Sequence, residues 1–212
     1  MRNRPQRVCR AITAVCLVGV LLLPGMAHAV LLFDDGTGNF SHSYLADTGA
    51  GQGISVSTTT NLTNIGVDLA LPSGGDVKFL IFDSTNSTLL FATSPETFGA
   101  SAVPTYLISP AFNFALNAGE TYFFGYIADA ASQLQVIVPC LPFNQNGFDT
   151  FGCEIVSYTN YVNPTLDGDV FMTDMTLQLF GTQNSPPIFE PSSLAILASG
   201  LLGIGLLRRH RR

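Results

Sequence analysis

Val77-Lys78-Phe79-Leu80-Ile81-Phe82 is the stretch that decides the fold. In an extended chain, successive side chains point to opposite faces. Val77, Phe79 and Ile81 make one apolar face here, and Leu80 and Phe82 make most of the other. A strand that is apolar on both faces belongs in the middle of a doubly covered sheet. Similar period-two patterns surround it. Phe112, Phe114 and Leu116 alternate with Asn113, Ala115 and Asn117. Tyr122, Phe124 and Tyr126 alternate with Phe123, Gly125 and Ile127. Phe171, Thr173, Met175, Leu177 and Leu179 alternate with Met172, Asp174, Thr176 and Gln178. Further strands are expected at 62–71, 88–92, 105–108, 134–138 and 155–161. Turn clusters separate them at Pro72-Ser73-Gly74-Gly75, Asp83-Ser84-Thr85-Asn86, Asn117-Ala118-Gly119-Glu120 and Asp167-Gly168. About nine short strands between such turns predict an all-β fold, an antiparallel β-sandwich that is jelly-roll-like.

The strand-rich region, residues 30–187, holds 15 Phe and 6 Tyr and no Trp. That many aromatics require burial, which excludes a disordered chain. The region also holds fourteen acids against one base, Lys78, a formal charge of −13. The whole chain carries only −6, because eight of its nine basic residues sit at the two ends. One lysine neutralises almost no phosphate, so the acidic middle is no electrostatic nucleic-acid binder.

The two ends read as addresses. Arg2, Arg4, Arg7 and Arg10 precede an uncharged apolar run, AITAVCLVGVLLL, at 11–23. Pro24-Gly25 follows it, and Ala27-His28-Ala29 places small residues at −3 and −1. This is the layout of a secretory signal peptide, 1–29, cut after Ala29, and the run is short for a membrane span. Cys9 and Cys16 leave with it.

At the other end, Pro186-Pro187 precedes Ile188-Phe189-Glu190-Pro191-Ser192-Ser193. The apolar run LAILASGLLGIGLL at 194–207 and then Arg208, Arg209, His210, Arg211 and Arg212 close the chain. As a helix, the 14 apolar residues span about 21 Å, under a hydrocarbon core of about 30 Å. Flanking side chains that snorkel and local thinning close that gap. The terminal arginines are expected on the cytoplasmic side.

This tail resembles the PEP-CTERM sorting signal of Gram-negative bacteria. Glu190 and Pro191, the Leu/Gly/Ala-rich transmembrane stretch and the Arg cluster match in order and spacing. Phe189 stands where that motif has its first proline. The resemblance covers residues 188–212 and implies recognition by an exosortase at Phe189, Glu190 and Pro191, with Arg208, Arg209, Arg211 and Arg212 completing the signal. It also implies delivery to the cell surface or extracellular matrix, in association with exopolysaccharide and biofilm, and membrane attachment through the helix before processing. No Leu-Pro-x-Thr-Gly motif for a Gram-positive sortase is present.

Chemistry is sparse in the middle region. Once both addresses are removed, His42 is the one histidine left, between Ser41 and Ser43, and it reads as a solvated loop residue. No G-x-S-x-G elbow or H-E-x-x-H motif occurs, so no catalytic residue is assigned. Asp34-Asp35-Gly36-Thr37-Gly38-Asn39 and Asp167-Gly168-Asp169 bunch oxygen ligands that could suit Ca²⁺. Neither has EF-hand spacing, and Asp and Gly are also ordinary turn residues. The turn reading is preferred, with no metal and no cofactor. Cys140 and Cys153 are the remaining pair in an exported chain and are expected to form a disulfide. Such a bridge adds roughly 3 kcal/mol in the chain-entropy model. Between them, PFNQNGFDTFG sets Phe143, Phe148 and Phe151 among amides, as candidate glycan contacts in a carbohydrate-binding module. The competing reading is a loop whose phenylalanines cap the core.

Overall fold

A computed structural model describes residues 29–183 other than Asn86 and Cys140, and for 151–154, 169–172 and 183 it describes the backbone alone. In chain order the strands are β1 (Val30–Asp34), β2 (Phe40–Tyr44), β3 (Thr48–Val56), β4 (Thr60–Ala70), β5 (Gly75–Asp83), β6 (Leu89–Ala92), β7 (Glu96–Phe98) and β8 (Thr105–Ile108). They continue as β9 (Phe114–Leu116), β10 (Thr121–Ala128), β11 (Ser132–Ile137), β12 (Asn144–Gln145), β13 (Phe148–Thr159), β14 (Thr165–Met172), β15 (Asp174–Met175) and β16 (Leu177–Gln183). There is no helix among the described residues. Residues 1–28 and 184–212 lie outside them, and with them the C-terminal address, the sorting motif, all of the signal peptide but Ala29, and Ala27 of the cleavage site; Cys140 does too.

All strands pair antiparallel in two sheets. One runs β1-β16-β4-β11-β15, with β2 on β11 and β8 and β9 on β4. The other runs β12-β13-β3-β10-β5-β6, with β14 on β13 and β7 on β5. Their inner faces share one core, in which Phe33, Leu62 and Ile65 of the first sheet join Phe79, Phe124 and Tyr126 of the second. That is the layering of a β-sandwich.

β5 behaves as its alternation requires. Phe79 and Ile81 enter the inter-sheet core, while Leu80 and Phe82 join a second apolar cluster with Phe123, Ile127, Val156 and Tyr158. β10 divides in the same way, with Tyr122, Phe124 and Tyr126 inward and Phe123 and Ile127 in the second cluster. The second sheet is therefore apolar on both faces, as a strand like β5 demands.

Several sequence expectations are corrected. β3 is a central strand, between β13 and β10, although Gly49, Gly51 and Gly53 lower its intrinsic strand preference. At Gly51 the absence of a side chain has a use, because the Tyr158 ring occupies the space that a Cβ would take. The 171–179 alternation is not one strand. It breaks at Thr173 and Thr176, and Thr176 N–H and hydroxyl both donate to the Gln135 carbonyl, at 3.1 and 3.0 Å. Asp167-Gly168 is not a turn between strands but lies within β14. Gly168, at φ 81°, forms a bulge opposite the Val156–Tyr158 register shift. The other three turn clusters do bend the chain, with Gly74 and Gly119 at positive φ and Thr85 N–H on the Asp83 carboxylate.

Candidate functional site

The segment with the candidate glycan contacts, read also as a core-capping loop, is a hairpin. Gln145 pairs with Phe148, leaving Asn146-Gly147 as a two-residue connection with φ of 52° and 85°. Both residues at positive φ is the turn whose twist matches that of the flanking strands. The hairpin amides bind the first strand. Asp34 N–H donates to Gln145 Oε1 at 2.8 Å, and Asn146 Nδ2 donates to the Leu32 carbonyl at 2.9 Å. Phe148 is 1% exposed and packs on Phe33, with ring centroids 6.2 Å apart. A ring so enclosed offers no face to a sugar, which removes Phe148 as a glycan contact. Phe143 is 41% exposed and meets Phe33 edge-on at 5.8 Å. Among the described side chains it is the one phenylalanine of the three that stays accessible. The Phe151 and Cys153 side chains lie outside the described residues, and so does the Cys140–Cys153 pairing.

The Asp34–Asn39 segment brings together carboxylates that are far apart in sequence. Gly36 N–H donates to Asp34 Oδ1 at 2.9 Å, and Gln178 Nε2 donates to Asp34 Oδ2 at 3.1 Å. The Tyr106 hydroxyl donates to the Gly36 carbonyl at 2.6 Å and lies 3.4 Å from Asp34 Oδ1. Asp35 N–H donates to the Leu177 carbonyl, while its buried Oδ2 has no hydrogen-bond partner among the described residues. Burial first, then the charges of Asp174 and Asp34, push the Asp35 carboxyl up to about 8. Asp174, 3% exposed on β15, is pushed up to about 6 by burial, against the stabilising bond from Gln52 Nε2 at 2.7 Å. Gln52 Oε1 accepts from Met175 N–H at 2.7 Å, so this one amide ties β3 to β15 across the two sheets. Asp68 is also raised by burial. Among the described residues, no group of three or more His, Cys, Asp or Glu is placed to hold a metal ion. The arrangement can retain protons near neutral pH. The Asp174–Gln52 link joins positions 122 apart, and no local motif could have revealed it.

His42 is not in a loop. It lies on β2 opposite Leu134, with its ring edge-on to Tyr44 at 5.0 Å. Asp167 lies on β14 beside Gly168, and Asp169 is described by its backbone alone. Lys78 Nζ donates to the Tyr161 carbonyl at 2.8 Å and sits 4.4 Å from that ring's centroid. The domain's single base thus clasps the β13–β14 connection to β5.

Neither a protein-family model nor a curated protein matches this chain.

Proposed function

We propose that the chain is an exported structural or interaction protein of the cell surface or extracellular matrix of a Gram-negative bacterium. It is built on a jelly-roll-like β-sandwich and sorted by an exosortase. The observation that carries this reading is the ordered tail: Phe189-Glu190-Pro191, a short apolar run and a terminal Arg cluster, paired with a signal peptide at the other end. β1 begins at Val30, directly after the expected cleavage. The role is non-enzymatic, and the charge of −13 on residues 30–187 keeps the domain soluble among acidic exopolysaccharides of a biofilm.

The test removes Arg208, Arg209, His210, Arg211 and Arg212, or changes Glu190 and Pro191 to Ala, and fractionates cells with and without exosortase. Mature size and location should both shift. If neither moves in any strain, the sorting reading is wrong. A carbohydrate-binding module on the same scaffold is the second reading, and the exposure of Phe143 is what favours it. Binding on a glycan array that is lost in Phe143→Ala would establish it.

A further inference from the structure

β2 leaves one edge of its sheet open. Among the described residues it pairs with β11 alone. Opposite residues of an antiparallel pair turn their backbone groups either toward each other or both away. Two hydrogen bonds tell the sets apart here. The Val136 carbonyl accepts from Asn39 N–H, so Val136 and its partner Phe40 turn toward each other. The Gln135 carbonyl is taken on the far side by Thr176, so Gln135 and its partner Ser41 turn away. By the same alternation His42 and Tyr44 bond to β11, while Ser41 and Ser43 aim N–H and C=O out of the sheet. No described residue bonds to these outward backbone groups.

Other edges of the two sheets are protected. Pro104 precedes β8, and Pro110 parts it from β9. Pro95 parts β6 from β7, which opens on Glu96. β14 carries Asp167 and Asp169 around its Gly168 bulge. On β1, the Gln145 and Asn146 side chains occupy the Asp34 N–H and the Leu32 carbonyl. Prolines, charges and bulges of this kind keep a strand from pairing with another chain. β2 has no acid, lysine, arginine or proline, and its register with β11 runs unbroken. It is an uncharged edge on a region of charge −13.

The strand is also matched to itself. Phe40-Ser41-His42-Ser43-Tyr44 runs aromatic, serine, histidine, serine, aromatic in either direction. We propose that this edge docks a second copy of the chain, β2 against β2 and antiparallel, with a two-fold axis at His42. Ser41 then lies opposite the second copy's Ser43, and the two exchange both N–H···O=C bonds, as does the symmetric pair across the axis. Phe40 lies opposite the second copy's Tyr44, and His42 opposite its own counterpart. These even-numbered residues share the face that looks into the sandwich, where Tyr44 joins the core. Phe40 is 58% exposed, so its ring has apolar surface to cover. Aromatic pairs and hydroxyl pairs across strands are both favourable. A slide of two residues would set Tyr44 against Gly38 instead. Self-match in one register is what selects a second copy over an unrelated strand, and the dimer it makes is closed and extends one sheet through both copies.

Sedimentation equilibrium of the full chain in density-matched detergent micelles should show a concentration-dependent dimer. Ser43→Pro deletes an outward N–H that the fold does not use, so it should keep the wild-type denaturation midpoint and weaken the dimer about tenfold or more. Ser41→Pro, at the other outward N–H, should weaken it likewise. Amide exchange reads the register. At dimer concentrations the Ser41 and Ser43 amides should slow about tenfold or more against dilute chain, while those of Phe40, His42 and Tyr44, already bonded to β11, stay unchanged. Where a proline variant loses the wild-type midpoint, this exchange pattern in the wild-type chain decides alone. A wild-type chain that stays monomeric at about 0.1 mM overturns the proposal. So does a dimer of full strength in both proline variants, as one made through another surface would be, and so does slowing that does not alternate along β2.

Discussion

Asp35 and Asp174 hold protons that an unfolded chain would have released. The ordinary carboxyl value is 3.8, and the folded values are about 8 and about 6. Between about pH 4 and 8 the native state therefore binds more protons than the unfolded state, so stability falls as pH rises through that window. The denaturation midpoint should decline from pH 5 to pH 8.5, in the opposite sense to a salt-bridged carboxylate. Asp35→Asn removes the buried charge, so its midpoint should stay level between pH 6.5 and 8.5 and exceed wild type at the upper end. A wild-type midpoint that rises across this range would refute the assignment. Tyr158 offers a second test at this scale. Its ring lies where a Gly51 Cβ would go and stacks on Phe82 at 4.9 Å, while its buried hydroxyl has no partner among the described residues. Gly51→Ala should cost about 1–3 kcal/mol, because the enclosed ring cannot move aside. Tyr158→Phe keeps the ring and removes the orphan hydroxyl, and should raise stability by about 1 kcal/mol. Urea titration of both variants should show opposite signs at one contact.

Among the elements, the β12–β13 hairpin governs how β1 is held. β1 pairs with β16 on one side, and Gln145 takes the Asp34 N–H that would otherwise lack a strand partner. Gln145→Ala should destabilise the domain by about 1 kcal/mol and speed hydrogen exchange at the Asp34 amide ahead of amides in β10. Exchange at Asp34 that matches wild type would show that β1 does not depend on the hairpin. This hairpin also marks the limit of what was legible in the sequence. β5 and β10 are readable because their side chains alternate against two apolar surroundings. Asn146-Gly147 is a strong hairpin signal, but the neighbouring phenylalanines and amides fit both a core cap and a sugar contact, and burial against Phe33 decides for Phe148. β3 was hidden because its glycines suit the neighbouring Tyr158 ring and the backbone of β10, and that need exists only after β13 and β10 have paired with it. The Asp35–Asp174–Gln52 cluster was invisible for the same reason, since three segments distant in sequence create it.

At the scale of the whole molecule, β1 and β16, the first and last strands among the described residues, are neighbours in one sheet, so that sheet is complete only when both are present. Val30 opposite Gly181 also means that the ends can be joined without disturbing a strand. A linker of about four Gly/Ser residues from Gln183 to Val30 spans such a gap. New ends are best opened where the backbone is exposed and makes few bonds. Ala102 and Val103 meet that condition, as both are exposed and the bond there is from Ser101 Oγ to the Val103 carbonyl. The permuted domain should fold and keep the wild-type decline of stability with pH, because Asp35, Asp174 and Gln52 retain their neighbours. Its denaturation midpoint should lie within about 1–2 kcal/mol of the parent in stability. Deleting β1 should instead uncover the edge of β16 and remove Leu32 and Phe33, both buried, from the core. That loss is about 2–5 kcal/mol per large side chain, comparable with the whole stability of a typical domain. A permutant that fails to fold, or a β1 deletion that melts like the parent, would show that the two chain ends are not joined through the β1–β16 pair.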